Sequence, residues 1–203
     1  MLESKYREYD VLVGVDEVGR GPIAGPVSVC AFAVPKENYK LVKEALKGIT
    51  DSKKISEKKR NEFVAIIKEL QQEDNIVVSV SSVSAKDIDV RGIVPALKAA
   101  TKRSLESVTK GRGGKYYVYL DGSLSAPIDF DQETIIQGDV HNWLISSASV
   151  VAKVARDSLM VKYGEQYPEY GFAHHKGYGT KKHREAINKY GVTDIHRKTW
   201  ISL

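Results

Sequence analysis

An α/β domain on a mixed sheet is predicted for this chain, on three observations. Two apolar runs, VLVGV at 11–15 and VSVCAFAV at 27–34, read as buried strands. The connection between them is too short for a helical crossover, so they are expected to pair antiparallel. Beyond a third strand, IVVSVSSV at 76–83, strands and helices alternate along the chain, the pattern of an α/β layer.

The elements follow in order. The first strand is expected to end at Asp16, and Pro35 stops the second. A helix near Tyr39–Lys47 comes next, then a second one that Ser56 caps, with Phe63, Ile66, Ile67 and Leu70 at helical spacing. Pro95 is placed as the first residue of a helix that carries Leu97, Ala100, Leu105 and Val108 on one side. After a GRGG turn, KYYVYLD at 115–121 is a strand ending at Asp121, and ETIIQ at 133–137 is another. Asn142–Tyr163 is apolar or small on nearly every side, which predicts a central helix packed closely on the sheet and closed by Gly164. A loop rich in glycine and aromatic residues leads to a last helix near Lys181–Tyr190, ended by Gly191.

The chain has 203 residues, of which 42% are hydrophobic and 28% charged, and this suits one domain with a substantial core. No apolar run approaches the roughly 18–20 residues that cross a membrane. The opening MLESKYREYD is too polar for a secretory signal. Its single cysteine, Cys30, excludes an internal disulfide and is expected to be a buried small hydrophobe in a cytoplasmic protein. The net charge of +5 is unevenly spread. His174–Lys189 holds five Lys/Arg and three His against one acid, and DSKKISEKKR at 51–60 is a second basic cluster. Such stripes suit a phosphate backbone or a solvated, lysine-rich helix face.

Acids stand where strands end. Asp16 and Asp121 each close a strand, and Asp139 follows a third in IIQGD. Glu17 comes directly after Asp16, so both reach one cluster only if the chain turns at Glu17. Carboxylates gathered in this way repel one another unless a cation lies between them, and an all-oxygen donor set selects magnesium or manganese. Other chemistries find no support. Pro22 and Pro26 block the helix that a dinucleotide-binding turn at Gly19–Gly21 would need. GxxxxGK[ST] and GxSxG are absent. His174, His175, His183 and His196 match no zinc spacing and are expected to meet solvent or phosphate.

In this order, VDEVGRGPIAGPV, DSKKIS, YLDG, IIQGD, SSASVVAKVARD and YGFAHHKGYGTKKH resemble ribonuclease HII, from about Val13 to Arg197. Only fifteen residues precede Asp16, which favours type HII over type HIII with its added N-terminal domain. The chain ends soon after IHRKTW, without the C-terminal extension of longer members. The resemblance implies a ribonuclease H-like fold, a five-stranded mixed sheet flanked by helices with a helical C-terminal segment. It implies one catalytic domain over 1–203, with about 165–203 as a substrate-binding appendage.

The implied activity is endonucleolytic hydrolysis of the RNA strand of RNA/DNA hybrids, and incision 5′ of single ribonucleotides in duplex DNA, as in ribonucleotide excision repair. It would use two divalent ions, magnesium or manganese, in a protein that acts as a monomer away from membranes. The family's metal-binding acids map to Asp16, Glu17, Asp121 and Asp139, its ribonucleotide-sensing turn to Gly19, Arg20 and Gly21, and its junction-reading tyrosine to Tyr178. Ser52, Lys53 and Lys54 resemble the family's backbone-phosphate contacts, a solvated turn before a helix being the alternative, and Lys176, in the basic 174–189 segment, is expected to track the same backbone. Lys153, Arg156 and Asp157 are placed to support the site electrostatically, with a plain intrahelical ion pair between Arg156 and Asp157 as the alternative. The chain departs from the family at His141 and Asn142, where a lysine and a serine are usual, and His141 is kept as a substrate contact. Two readings compete. A DNA-junction nuclease would share the acids but not the GRG turn and Tyr178, and a silent hybrid-binding module would be expected to have lost one of the four acids.

Overall fold

The computed structural model describes residues 8–201. Its five strands are β1 Val11–Val18, β2 Val27–Pro35, β3 Val77–Val83, β4 Tyr116–Asp121 and β5 Asp131–Ile135, in the sheet order β3-β2-β1-β4-β5. The short connection after β1 produces the antiparallel pair, with Asp16 opposite Cys30, and β2 pairs antiparallel with β3. β1 with β4 and β4 with β5 are parallel, so the sheet is mixed as expected.

Side chains alternate across each strand, and the two faces build separate cores. Leu12, Cys30, Phe32 and Tyr119 face one way, toward α1 (Tyr39–Ala45), α2 (Glu57–Gln72) and the long α6 (Trp143–Gln166). Val13, Val15, Val29 and Leu120 face the other, toward α3 (Ala85–Arg91) and α4 (Ile93–Thr109). Helix α6 lies directly on β1 because Gly14 has no side chain; a Cβ there would overlap the backbone of Leu144. Truncating Leu144, fully buried in this contact, would cost about 2–5 kcal/mol. Cys30 is buried, and burial pushes its thiol pKa upward, so it stays a protonated apolar filler.

Several boundaries differ from the sequence expectation. β1 runs on to Val18 instead of ending at Asp16, since Glu17 and Val18 still pair with Val29 and Ser28 of β2. α4 starts at Ile93, two residues before Pro95, because Gly92 at φ 83° breaks the chain there. The short α3 was not expected; its signal is the Ser84 cap, whose Oγ accepts from the Asp87 amide and donates to the Asp87 carboxylate. β5 sits earlier than 133–137, and Ile136 is exposed beyond it. Gly164 does not close α6. It lies inside the helix, where an added Cβ would meet Ala173 at 2.9 Å, so it serves close packing.

A third apolar cluster joins the C-terminal part to the loop between β1 and β2 and to α6. It contains Ile23, Ala24, Met160, Tyr170, Phe172 and Ile187, drawn partly from α7 (Phe172–His175) and α8 (Lys181–Tyr190). His175, His183 and His196 pack within it instead of meeting solvent: His175 stacks on His183 at 4.3 Å, and His183 Nε2 lies 3.0 Å from His196 Nε2. His183 Nδ1 donates to the Tyr178 carbonyl, so its Nε2 is bare and accepts from His196 Nε2–H. Burial pulls the pKa of both His183 and His196 down to about 4. Neutral rings are thus favoured in the fold, and their stabilisation is complete above about pH 6.5 and is lost as pH falls toward 4. The loss is about 1.4 kcal/mol per histidine for each unit in that window. A melting temperature that drops between pH 7 and 5 in the parent, and less so in His196→Asn, is the expected result; equal slopes would contradict it.

Candidate active site

Asp16, two residues before the end of β1, and Asp121, the last residue of β4, project on the face covered by α6. The β1–β4 pairing stops at Val15 opposite Leu120, so past this point no backbone separates the two faces. Glu17, on the other face by alternation, therefore reaches round the sheet end without the turn that the sequence suggested. Carboxylate oxygens of Asp16, Glu17 and Asp121 lie within 4.8 Å of one another. Asp139 stands outside that group. It occupies the short helix α5 (Gly138–His141), next to Asp51, and shares with the three a cavity of about 270 Å³. Gly138 ties this helix to β4, since its amide donates to Asp121 Oδ1 at 2.7 Å.

The electrostatics of the cluster call for a cation. Burial raises the pKa of Asp16 well above the usual carboxylate range, and the charges of Glu17 and Asp121 add to it. Glu17 is raised by burial and by Asp121, with Arg20 opposing. Asp139 is raised by burial, then by Asp121 and Asp51, with Lys53 opposing. Glu17 Oε2 is buried with no hydrogen-bond partner among the described residues. Oxygen donors only, mutual repulsion and one unpartnered carboxylate oxygen together fit a hard divalent ion.

The GRG turn borders the same cavity. Gly19 is at φ 88°, and a Cβ on it would overlap the Arg156 side chain and the Pro26 carbonyl. Gly21 differs: an added Cβ would meet only Tyr178 Cε1, at 3.9 Å. Packing inside the protein therefore demands a glycine at 19 but not at 21, where the bare backbone leaves room beside the Tyr178 ring. Arg20 donates to Ser123 Oγ at 2.7 Å and lies 3.6 Å from Glu17 Oε1.

Among the sequence candidates, Asp16, Glu17, Gly19, Arg20, Gly21, Ser52, Lys53, Asp121, Asp139 and Tyr178 line this cavity. Lys54 and His141 are exposed and do not line it. Lys176 turns its ammonium onto the Ala173 carbonyl, from a left-handed backbone at φ 52°. Ser52 is buried, and its hydroxyl lies 3.0 Å from that of Ser149, which hydrogen-bonds Asp16. Asn142 caps α6, accepting from the Leu144 amide at 3.0 Å. Lys153 pairs with Asp157 at 2.8 Å and lines the cavity, while Arg156 binds backbone carbonyls instead. Sequence reasoning missed Ser149 and Asp51. Ser149 sits one helical turn before Lys153, a polar stripe on the face of α6 that meets Asp16.

Solved structures share this architecture. Ribonuclease H2 from Pyrococcus horikoshii OT3 superposes with a TM-score of 0.69 at 24% identity, covering 94% of this chain and 93% of that one. The Mn2+ complex of Bst-RNase HIII gives 0.64 at 14% identity, over 89% of this chain and 63% of that one. A mixed five-stranded sheet with flanking helices and acids at its central strand ends places the protein in the ribonuclease H-like class. The family model for ribonuclease HII matches residues 13–203. Ribonuclease HII of Clostridioides difficile (strain 630) is 42% identical over 193 residues, 95% of this chain and 71% of that one. That of Bacillus subtilis (strain 168) is 40% identical over 197 residues, 97% and 72%. The chain belongs to the ribonuclease HII family, metal-dependent endoribonucleases that cleave the RNA strand of RNA/DNA hybrids. No helix among the described residues is long and apolar enough to cross a membrane.

Proposed function

We propose that the protein incises duplex DNA on the 5′ side of a single embedded ribonucleotide, besides cutting longer hybrids, and that it leaves the ribonucleotide with a 5′-phosphate. One observation carries this reading: the GRG turn, the Tyr178 ring and the carboxylate cluster line one cavity. The 2′-hydroxyl is the group that marks ribose. Backbone at Gly19–Gly21 is close enough to the acids to bind that hydroxyl while the adjacent phosphate lies at the cluster. Tyr178, beside Gly21, would stack on the following sugar and exclude a second 2′-hydroxyl, so that a ribose-to-deoxyribose junction is read.

Asp16, Glu17, Asp121 and Asp139 would hold two magnesium or manganese ions. Such ions, when bound, would lower the pKa of water so that it gives up a proton and can act as the nucleophile near neutral pH, and would supply charge to stabilise the leaving oxygen. The chain's own residues orient and neutralise. Ser149 directs its hydroxyl to Asp16 and fixes that carboxylate, Arg20 meets a phosphate, and Lys53 and Lys153 bring positive charge to the cavity wall. Residues from about 165 onward would act as the substrate-binding appendage of a single catalytic domain. An end-labelled duplex with one ribonucleotide should be cut with magnesium and left intact with chelator. An uncut duplex under both conditions would refute the reading.

Hybrid binding should weaken steeply with salt, as counterions are released from neutralised phosphates. Lys53→Ala is expected to flatten the slope on log[salt] by up to about one unit. Lys176→Ala should flatten it less, because its ammonium is already engaged by the Ala173 carbonyl. Equal slopes in the parent and Lys53→Ala would show Lys53 to be solubilising only.

A further inference from the structure

We propose that Arg197 is a positioning residue that sets which way the peptide groups of the GRG turn point. The proposal rests on the reading of that turn as the ribose sensor. Arg197 is fully buried, and every hydrogen bond of its guanidinium goes to a backbone carbonyl. Nη2 donates to Gly19 O at 2.5 Å and to Gly25 O at 3.0 Å, Nη1 to Arg20 O at 3.0 Å, and Nε to Gly25 O at 3.1 Å. One planar fork therefore staples both ends of the 19–25 loop, and the Arg197 amide adds a bond to Ile23 O at 2.8 Å. The Trp200 ring lies 4.8 Å from its Cζ and covers the cation.

The consequence for the turn follows from peptide geometry. In a trans peptide the carbonyl and the next amide point in opposite directions. With the carbonyls of Gly19 and Arg20 drawn inward to Arg197, the N–H groups of Arg20 and Gly21 face the other way, on the side where these residues line the cavity. The donors proposed for the 2′-hydroxyl are thus aimed before substrate arrives, and no reorientation is needed on binding. Arg156 braces the neighbouring stretch: its Nε donates to Pro26 O, its Nη2 to Ala24 O, and its Nη1 to Lys176 O, two residues before Tyr178. Both halves of the proposed reader therefore hang on one buried layer. A lysine at 197 would keep the charge but lose the planar fork, so it could not hold Gly19 and Arg20 at once.

The test is equilibrium binding in chelator, where no cleavage occurs, to two duplexes that differ by one ribose. The parent should prefer the ribose duplex. In Arg197→Lys that preference should fall by roughly fivefold, about the worth of one hydrogen bond. Affinity for the all-DNA duplex and the rise in melting temperature with Mn2+ should remain, which a merely structural lesion would not allow. Retained preference in folded Arg197→Lys overturns the proposal while leaving the ribose-sensor reading intact. No preference in the parent overturns that reading and the proposal with it. If Arg197→Lys does not fold, Arg197→Ala is titrated with guanidinium: recovery of the preference supports the proposal, and recovery of folding without preference overturns it.

Discussion

In Asp16→Asn and Asp121→Asn, hybrid cleavage is expected to fall by roughly 10³-fold or more, the equivalent of several kcal/mol of transition-state stabilisation. Binding should survive, because the basic surface still meets phosphates. A second readout separates a metal ligand from a structural acid. Asp16 has its pKa raised by burial, so its ionised form destabilises the fold at neutral pH, and the stability it adds when protonated is lost as pH rises through the raised value. Asp16→Asn should therefore melt higher than the parent in chelator, by about 2–4 °C for each kcal/mol relieved. The gain in melting temperature that magnesium gives the parent should be much reduced in the variant. Normal turnover in Asp121→Asn, or a lower melting temperature in Asp16→Asn with equal loss of binding and cleavage, would mean that these acids hold the fold and not a metal.

Tyr178→Ala is expected to lower cleavage at a lone ribonucleotide by about 10- to 100-fold, the range that loss of a ring stacked on a nucleotide would produce. A long RNA/DNA hybrid should lose less, since every sugar of its RNA strand carries the 2′-hydroxyl that the ring disfavours and the junction preference has nothing to read. The ring is 48% exposed and so contributes little to the core, which makes the variant a fair test of contact rather than of folding. Tyr178→Phe should keep most of the activity, because stacking needs the ring and not the hydroxyl. Equal losses on both substrates in Tyr178→Ala would make Tyr178 a general binding residue.

How much of this was legible in the sequence depends on the range of the contacts. Asp121 could be read as a strand-end acid and Asp16 as the acid that closes an apolar run, although β1 continues to Val18, and the two-residue period puts both on the α6 face. Glu17 was misjudged: a turn was needed only if a neighbouring strand blocked its way, and β4 stops short of it. Asp139 was singled out by its motif, yet its place on a separate helical turn beside Asp51 depends on the left-handed Gln137 and on Gly138, which periodicity does not show. His174 is exposed as expected, whereas His175, His183 and His196 looked like part of a solvated basic loop because basic residues stand close to them in sequence. Their neighbours in space are Phe172 and Tyr170, brought by α7 and the segment before it. Arg197 and Ser149 were hidden for the same reason: the carbonyls that Arg197 binds lie more than 170 residues away in the chain.

Whether the acids cut where the adjoining turn finds a ribose is decided by three duplexes of one sequence that carry ribose, deoxyribose or 2′-O-methylribose at a single position, each incubated with enzyme and magnesium and mapped at nucleotide resolution. Cleavage of the ribose duplex alone, at one bond on its 5′ side, is the predicted result; cleavage of the deoxyribose duplex at a comparable rate would contradict it.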